Sequence, residues 1–495
     1  MTPQPAEPTR TGALIVGAGI SGLAQAVEMA RAGIDFLVLE KGSTVGGTWR
    51  DNDYPGASCD VESHLYSYSY ERNPSWTSTY AGQAEILAYL RRIAERRGLL
   101  PRMRFGTEVT AARWNADAAE WVVSTAEGTS YAAPFLVLGV GGLHVPRIPD
   151  LPGAAGFAGD AWHTARWNHR VDLTGKRVTL IGVGASGVQV APYLADRAAA
   201  LTIVQRSPAW VLPKPDEPIT PGRRALFRRV PPAQSLYRLR LYLRREKRGI
   251  GFHHRPDALR VAEPVVARSI ERHIEDPALR RLVTPAYRLG CKRVLFSNDY
   301  YRTLSQPHVH VVSGTPQELR PSAVVDQDGV EHQTDVLVWA TGFDLRGSYD
   351  RIRVEGTDGA LLGERWRDGM GSYLGVAVAG FPNMFTLLGP NGFVAYTSVI
   401  HLIETQARYI VRAMLKVRAA GASSLEVRPE AEQAFQDEVR DRFRRTVWNV
   451  GECRSWYRTT SESGTVLWPD STWSYRWLLR DVRVSDYRFT VRRDH

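Results

Sequence analysis

Two glycine triplets carry the first chemistry in this sequence. Gly17, Gly19 and Gly22 follow the apolar run "ALIV" with the spacing G-x-G-x-x-G, and Gly182, Gly184 and Gly187 follow "VTLI" with the same spacing. In such a turn the first glycine permits the tight bend. The second lets a pyrophosphate approach the backbone, and the third lets helix and strand pack closely. The helix N-terminus then offers free N–H groups and the positive end of its dipole to phosphate. Ser21 and Ser186 hold the same place in each turn and count among the binding candidates. Glu40 closes the next strand, 23 residues after Gly17, where a carboxylate accepts hydrogen bonds from ribose hydroxyls. After the second turn the equivalent strand ends Gln205-Arg206-Ser207, with no acid. A carboxylate there would repel a 2′-phosphate, whereas Arg206 attracts one in a forked grip, which selects NADPH over NADH. The plain alternative is a surface arginine. At the first turn the glycine spacing does not choose between FAD and NAD. Two dinucleotide sites in one chain imply electron transfer between two cofactors.

These turns need strands and helices to hold them. The segments 13–41 and 177–206 each read as buried strand, glycine turn, helix and strand. The expected fold is therefore α/β, with two doubly wound dinucleotide-binding domains. The first comprises 10–145 and 375–495, and the second 146–374. Between the turns, "EVTAARW", "EWVVSTA" and "PFLVLGV" read as a β-meander closing the first domain. An Arg-rich helical texture over about 215–288 reads as an insertion in the second domain. It is either a solvated, charged lid or a basic amphipathic helix at a membrane surface. A long helix is expected from Ser398 to Leu415.

The bulk composition narrows the class. The chain has 495 residues, more than one hydrophobic core usually serves. No run of eighteen apolar residues occurs, so stable membrane insertion is not expected. The three cysteines, Cys59, Cys291 and Cys453, form no C-x-x-C pair, which indicates neither a zinc ribbon nor a dithiol redox site. An odd, sparse count fits a reducing compartment, and a cytoplasmic location is the expectation. The net charge of +11 accompanies no nucleic-acid motif, and it fits an arginine-rich genome together with two anionic dinucleotides. No metal is expected.

One further stretch specifies a family. Phe157, Gly159, His163, Thr164 and Trp167 are spaced F-x-G-x-x-x-H-T-x-x-W. On these residues, and on "GGTW", "YPGASCD", "GCKR", "ATGF", "GFPN" and "SWY", the chain resembles the class B flavoprotein monooxygenases. More narrowly, it is similar to the Baeyer–Villiger monooxygenases of the 4-hydroxyacetophenone monooxygenase-like branch. The resemblance spans nearly the whole chain. It implies FAD at the first turn and NADPH at the second. It also implies that the fingerprint is a hinge between domains, with His163 an organiser; a His and Trp simply packed in a linker is the plain alternative. Thr48, Trp49, Arg50 and Asp51 would line the flavin, with Val61 and Tyr66 near, and Val109 would touch the adenine through its backbone. Cys59 would be a small buried residue. Lys292 would reach the 2′-phosphate beside Ser207. Arg293 would sit over the flavin, paired with Asp60, and Trp456 would pack on the nicotinamide end. The plain alternative for the pair is a structural salt bridge. Two departures from the family pattern, "GVGG" at Gly139–Gly142 and Asn168, bear on local geometry more than on reaction class.

The activity so implied is oxygen insertion next to a ketone carbonyl to give an ester or lactone. It would use NADPH, FAD and O2 through a C4a-peroxyflavin, with Arg293 stabilising developing negative charge. The rival readings are an N- or S-oxygenating flavin monooxygenase, which Trp167 and Arg293 disfavour, and a non-oxygenating NADPH-dependent flavoprotein reductase. The partners expected are a small ketone and O2.

Overall fold

The computed structural model describes residues 7–451, 453, 455, 457 and 465–491. Leu14–Val16 and Leu136–Leu138 are buried at every residue, and Leu37–Glu40 at all but the first. Strands of that pattern belong in a parallel sheet covered on both faces. They form one, in the order Met384–Thr386, Leu136–Leu138, Leu14–Val16, Leu37–Glu40, Met103–Phe105. The helix Ile20–Arg31 makes the first crossover, and the long helix Val399–Ala419 packs against it. Ser398 caps the long helix by accepting a hydrogen bond from the Ile400 N–H.

The second unit repeats the plan. Its parallel sheet runs Val309–Ser313, Ala200–Gln205, Arg177–Ile181, Val336–Trp339, Asp160–His163. The fold class is thus α/β with two dinucleotide-type sheets, as expected. Each sheet has its own large apolar core.

Three sequence expectations shift. "PFLVLGV" supplies Leu136–Leu138 to the first parallel sheet; the meander's third strand is Ser130–Ala133, beside Glu120–Thr125 and Val109–Asn115. Its unbroken burial, without alternation, is the reason. The chain also returns to the first unit before residue 375. Arg353–Glu355 pairs in parallel with Val109–Asn115 and covers that edge, while Tyr349, Ile352, Val354 and Trp366 share a core with Trp114 and Trp121. The helical insertion is present as Pro221–Arg229, Pro231–His253, Glu263–His273 and Pro277–Val283, but it bridges both units. Leu241 packs in the first core, whereas Val266 and Ile270 pack in the second.

Candidate active site

The glycine turns are built as their spacing requires. Gly17 has φ +98°, and a Cβ there would stand 2.6 Å from the Gly139 carbonyl oxygen. A Cβ on Gly22 would stand 1.8 Å from the Gly17 oxygen. The second turn repeats this: Gly182 has φ +102°, a Cβ there would stand 2.5 Å from the Ala340 oxygen, and a Cβ on Gly187 would stand 2.1 Å from the Gly182 oxygen. "GVGG" and "ATGF" are therefore equivalent backstops in the two units. By contrast, a Cβ on Gly184 would meet nothing within 4 Å, and one on Gly19 would meet only Gly47 backbone, at 3.6 Å. Each turn thus leaves a bare backbone face open beside a helix N-terminus, which fits a pyrophosphate.

The first turn opens on a cleft lined by Gly17, Gly19, Ser21, Glu40, Thr48, Trp49, Arg50, Asp51, Tyr66 and Val109. Glu40 is fixed in it: its Oε2 accepts from the Ala18 N–H at 2.7 Å, and its Oε1 accepts from the Gly42 N–H at 2.7 Å and from Arg50 at 2.9 Å. Arg50 is forked onto Asp51 as well. The Trp49 indole N–H donates to the Tyr66 hydroxyl at 3.1 Å.

A larger cavity of about 1790 Å³ lies beyond, sharing Thr48, Trp49 and Tyr66 with the cleft. Gly182, Gly184, Ser186, Arg206, Ser207, Lys292, Arg293, Asp60 and Val61 line it. Lys292 donates to the Ser207 hydroxyl at 2.5 Å and stands 4.5 Å from the Tyr287 ring centroid. Burial, and then the neighbouring Arg206 charge, hold the Lys292 ammonium below its ordinary pKa. Arg206, Ser207 and Lys292 thus line one wall of this cavity, and no salt bridge of Lys292 or Arg206 occurs among the described residues.

At the junction of the two units Arg293 meets Asp60. Nε donates to Oδ2 and Nη2 to Oδ1, both at 2.8 Å. The nearby carboxylate raises the Arg293 pKa against the opposing effect of burial. Burial alone would raise Asp60, but the charges of Arg293 and Arg245 outweigh it and hold the carboxyl below its ordinary range. Arg245 donates to the Asp60 carbonyl at 3.0 Å and pairs with buried Glu62. Burial pushes the Tyr457 hydroxyl up to about 12, with the charge of Arg293 and a hydrogen bond from it pulling the other way.

The fingerprint residues line neither cavity. Asp160–His163 is the edge strand of the second sheet, with His163 opposite Trp339. The His163 Nδ1 accepts from the Ala165 N–H at 3.1 Å, and Thr164 is fully buried. Trp167 packs edge-on to Trp162 and Tyr193. Phe157 packs beside Leu319 and Trp339, and Gly159 gives Asp335 room to approach. Trp456 lies outside the described residues; Ser455, next to it, lines the large cavity.

Several residues were not singled out from sequence. Arg245 and Tyr457 frame the Arg293–Asp60 pair; no local spacing marks Arg245, and Tyr457 ends the "SWY" segment, where only Trp456 was assigned a role. Tyr54 donates to Gln189 at 2.7 Å, and Gln189 donates to the Ser58 carbonyl at 2.9 Å, tying the two units together. Cys291, next to Lys292, is disulfide-bonded to Cys453. The absence of a C-x-x-C pair did not reveal this bond, whose cysteines lie 162 residues apart; Cys59 is the free cysteine, and it is buried. Among the described residues one His/Asp group has ligand-like spacing, His253, His254 and Asp470, and there Arg442 already pairs with Asp470.

Comparison with known proteins places this arrangement. Residues 14–231 match the pyridine nucleotide-disulphide oxidoreductase family. The chain is 42% identical, over 96% of its length and 92% of the relative's, to a Baeyer–Villiger monooxygenase of Streptomyces coelicolor. It superimposes on an oxidized steroid monooxygenase bound to NADP with a TM-score of 0.87 at 31% identity, covering 97% of this chain and all of that one. It also superimposes on OTEMO in complex with FAD and NADP, with a TM-score of 0.88 at 28% identity, covering 98% of this chain and all of that one.

Proposed function

The chain belongs to the Baeyer–Villiger monooxygenases, within the class B flavoprotein monooxygenases, and from that premise we propose that Arg293, held by Asp60, is its catalytic cation. The enzyme uses NADPH and FAD to insert one oxygen atom of O2 next to a ketone carbonyl, giving an ester or lactone. FAD, reduced by NADPH, supplies the electrons that activate O2.

The residues of this chain do the rest. The cleft at Gly17, Gly19 and Glu40 would hold FAD, with Thr48, Trp49, Arg50, Asp51 and Tyr66 toward its ring end. The bare turn at Gly184 would take the NADPH pyrophosphate, and Arg206, Ser207 and Lys292 the 2′-phosphate. Between these two regions stands Arg293, with 34% of its side chain exposed on the cavity wall. Oxygen insertion builds negative charge on oxygen, and a fixed cation in a water-poor cavity stabilises that charge most strongly. Arginine keeps its proton there. Asp60 binds the Nε/Nη2 edge, so the guanidinium is oriented before substrate arrives. The fingerprint strand, paired with Val336–Trp339 and packed through Trp162 on Trp167, would couple the second unit's position to the first.

The observation that carries this reading is the two-point Arg293–Asp60 contact in the wall between the two dinucleotide regions. The test is turnover of a ketone panel with NADPH under 18O2. The reading requires products one oxygen heavier that carry a single label. NADPH oxidation without labelled ester from any ketone would refute it.

A further inference from the structure

The helix Pro231–His253 turns charged and amide groups inward alongside Tyr237, Leu241, Tyr242 and Phe252, which pack on the first core. Its buried positions include Gln234, Arg238 and Arg245, and Leu241 is the one large apolar side chain among them. Leu236, Leu239, Leu243 and Ile250 face outward, 68%, 47%, 50% and 45% exposed. A surface helix ordinarily does the reverse. The inward polar groups have partners: Gln234 donates to the Asn73 carbonyl, Arg238 to the His64 carbonyl and Arg245 to Glu62. The outward leucines are spaced three, four and seven apart, so they form a single stripe.

A second exposed apolar group adjoins the stripe. Trp473 and Trp477, each 56% exposed, stand one turn apart on Thr472–Leu478. Tyr242 joins the two helices: its hydroxyl lies 2.8 Å from the Thr472 hydroxyl, and its ring centroid lies 6.3 Å from that of Trp473. The flanks are cationic. Arg240, Lys247, Arg248, Arg476 and Arg480 are all exposed, and Arg244, also exposed, pairs with Glu62. The one acid of the long helix, Glu246, is engaged by Thr472 and Tyr396. Scattered surface leucines need no explanation, but a continuous leucine–tryptophan face bordered by cations does.

We propose that this face docks on an anionic lipid bilayer, lying in the headgroup plane with Leu236, Leu239, Leu243, Trp473 and Trp477 at the acyl boundary. Leucine and tryptophan on one side with arginine at the borders is the composition of an interfacial helix. The charge distribution selects the occupant: a second copy of the chain on the same face would set these cations against their own kind, whereas acidic headgroups neutralise them. Among the described residues no helix is long and apolar enough to cross a membrane, so the contact is peripheral. Arg244, Arg248 and Ile250 also line the large cavity, which places one wall of it at the docked surface.

The test is co-sedimentation of the full-length, cofactor-loaded protein with phosphatidylglycerol/phosphatidylcholine vesicles and with pure phosphatidylcholine vesicles. At an ionic strength of about 0.01 M, where the screening length is about 30 Å, the protein should pellet with the anionic vesicles and not with the neutral ones. Raising the salt to about 1 M, where that length is about 3 Å, should release most of it. The double substitution Leu239→Glu and Leu243→Glu should lower partitioning by roughly tenfold or more, with NADPH turnover in free solution unchanged. Trp473→Ser should weaken binding independently. The proposal is overturned if the wild-type protein stays in the supernatant with anionic vesicles at low salt. It is equally overturned if the glutamates leave binding intact, or if light scattering shows a dimer that the same glutamates split.

Discussion

Asp60 grips Arg293 through both carboxylate oxygens, each at 2.8 Å, across 233 residues of chain. The contact joins a loop of the first unit to the "GCKR" segment of the second. A fork–fork pair of this kind fixes the guanidinium plane as well as its position.

Removing the cation should separate oxygenation from NADPH oxidation. Arg293→Ala is expected to retain FAD and to consume NADPH, with ester formation reduced by roughly 10²–10³-fold. Product analysis by mass spectrometry, alongside NADPH absorbance, checks this; ester yield at the wild-type level would remove Arg293 from the mechanism. Asp60→Asn should keep flavin but lower the melting temperature, since it leaves a partly buried cation without its counter-charge; thermal unfolding of the FAD-loaded variant checks this, and an unchanged midpoint would contradict it.

Arg206 and Lys292 should act on one phosphate. Either substitution to Ala is expected to raise KM for NADPH by about tenfold or more while leaving KM for NADH nearly unchanged. Steady-state kinetics with both nucleotides decides. Equal effects on the two would mean that these cations do not read the 2′-phosphate.

The Cys291–Cys453 bond closes a loop with a sequence separation of 162 residues. Cross-linking so long a loop stabilises by on the order of 4–5 kcal/mol in the chain-entropy account. Cys453→Ser should therefore lower the melting temperature by several degrees. Non-reducing peptide mapping of the wild-type protein should recover the cross-linked peptide. Quantitative alkylation of both thiols in the native, unreduced protein would contradict the pairing.

Acid should destabilise the fold in two windows. Burial holds His64, His144, His163 and His253 down to about 4, and His401 to about 3. Below an ordinary pKa near 6.5 the unfolded chain binds protons that the native state refuses, so stability falls as pH drops from there toward 4. The slope is up to about 1.4 kcal/mol per pH unit for each histidine. Asp60 works lower: its depressed carboxyl contributes stability above the ordinary carboxylate pKa, and that contribution is lost as pH falls through its folded value. Melting temperatures measured from about pH 8 to pH 4 should decline below about 6.5. A flat profile down to about pH 5 would show that the histidines titrate freely.

Much of this protein was legible in one dimension. The two glycine turns, the acid at Glu40, its absence at Arg206 and the stretch from Phe157 to Trp167 are local patterns. Backbone geometry and strand–turn–helix periodicity act over a few residues, so their consequences can be read from neighbours along the chain. Those patterns determined the fold class and two dinucleotide sites, and the family resemblance they carry implied FAD at the first and NADPH at the second. Only the tertiary structure decided that Asp60 meets Arg293, that Cys291 bonds Cys453 and that Arg245 reaches back to Glu62. It also decided that Arg353–Glu355 closes the first unit's edge. Each of these joins positions far apart in sequence, and no period in the chain encodes such a meeting; it follows from how the two sheets and the bridging insertion pack. The same holds for the helix Pro231–His253. Its composition announced charge and leucine, but packing against Glu62, His64 and Asn73 turned Gln234, Arg238 and Arg245 inward and left Leu236, Leu239 and Leu243 facing out.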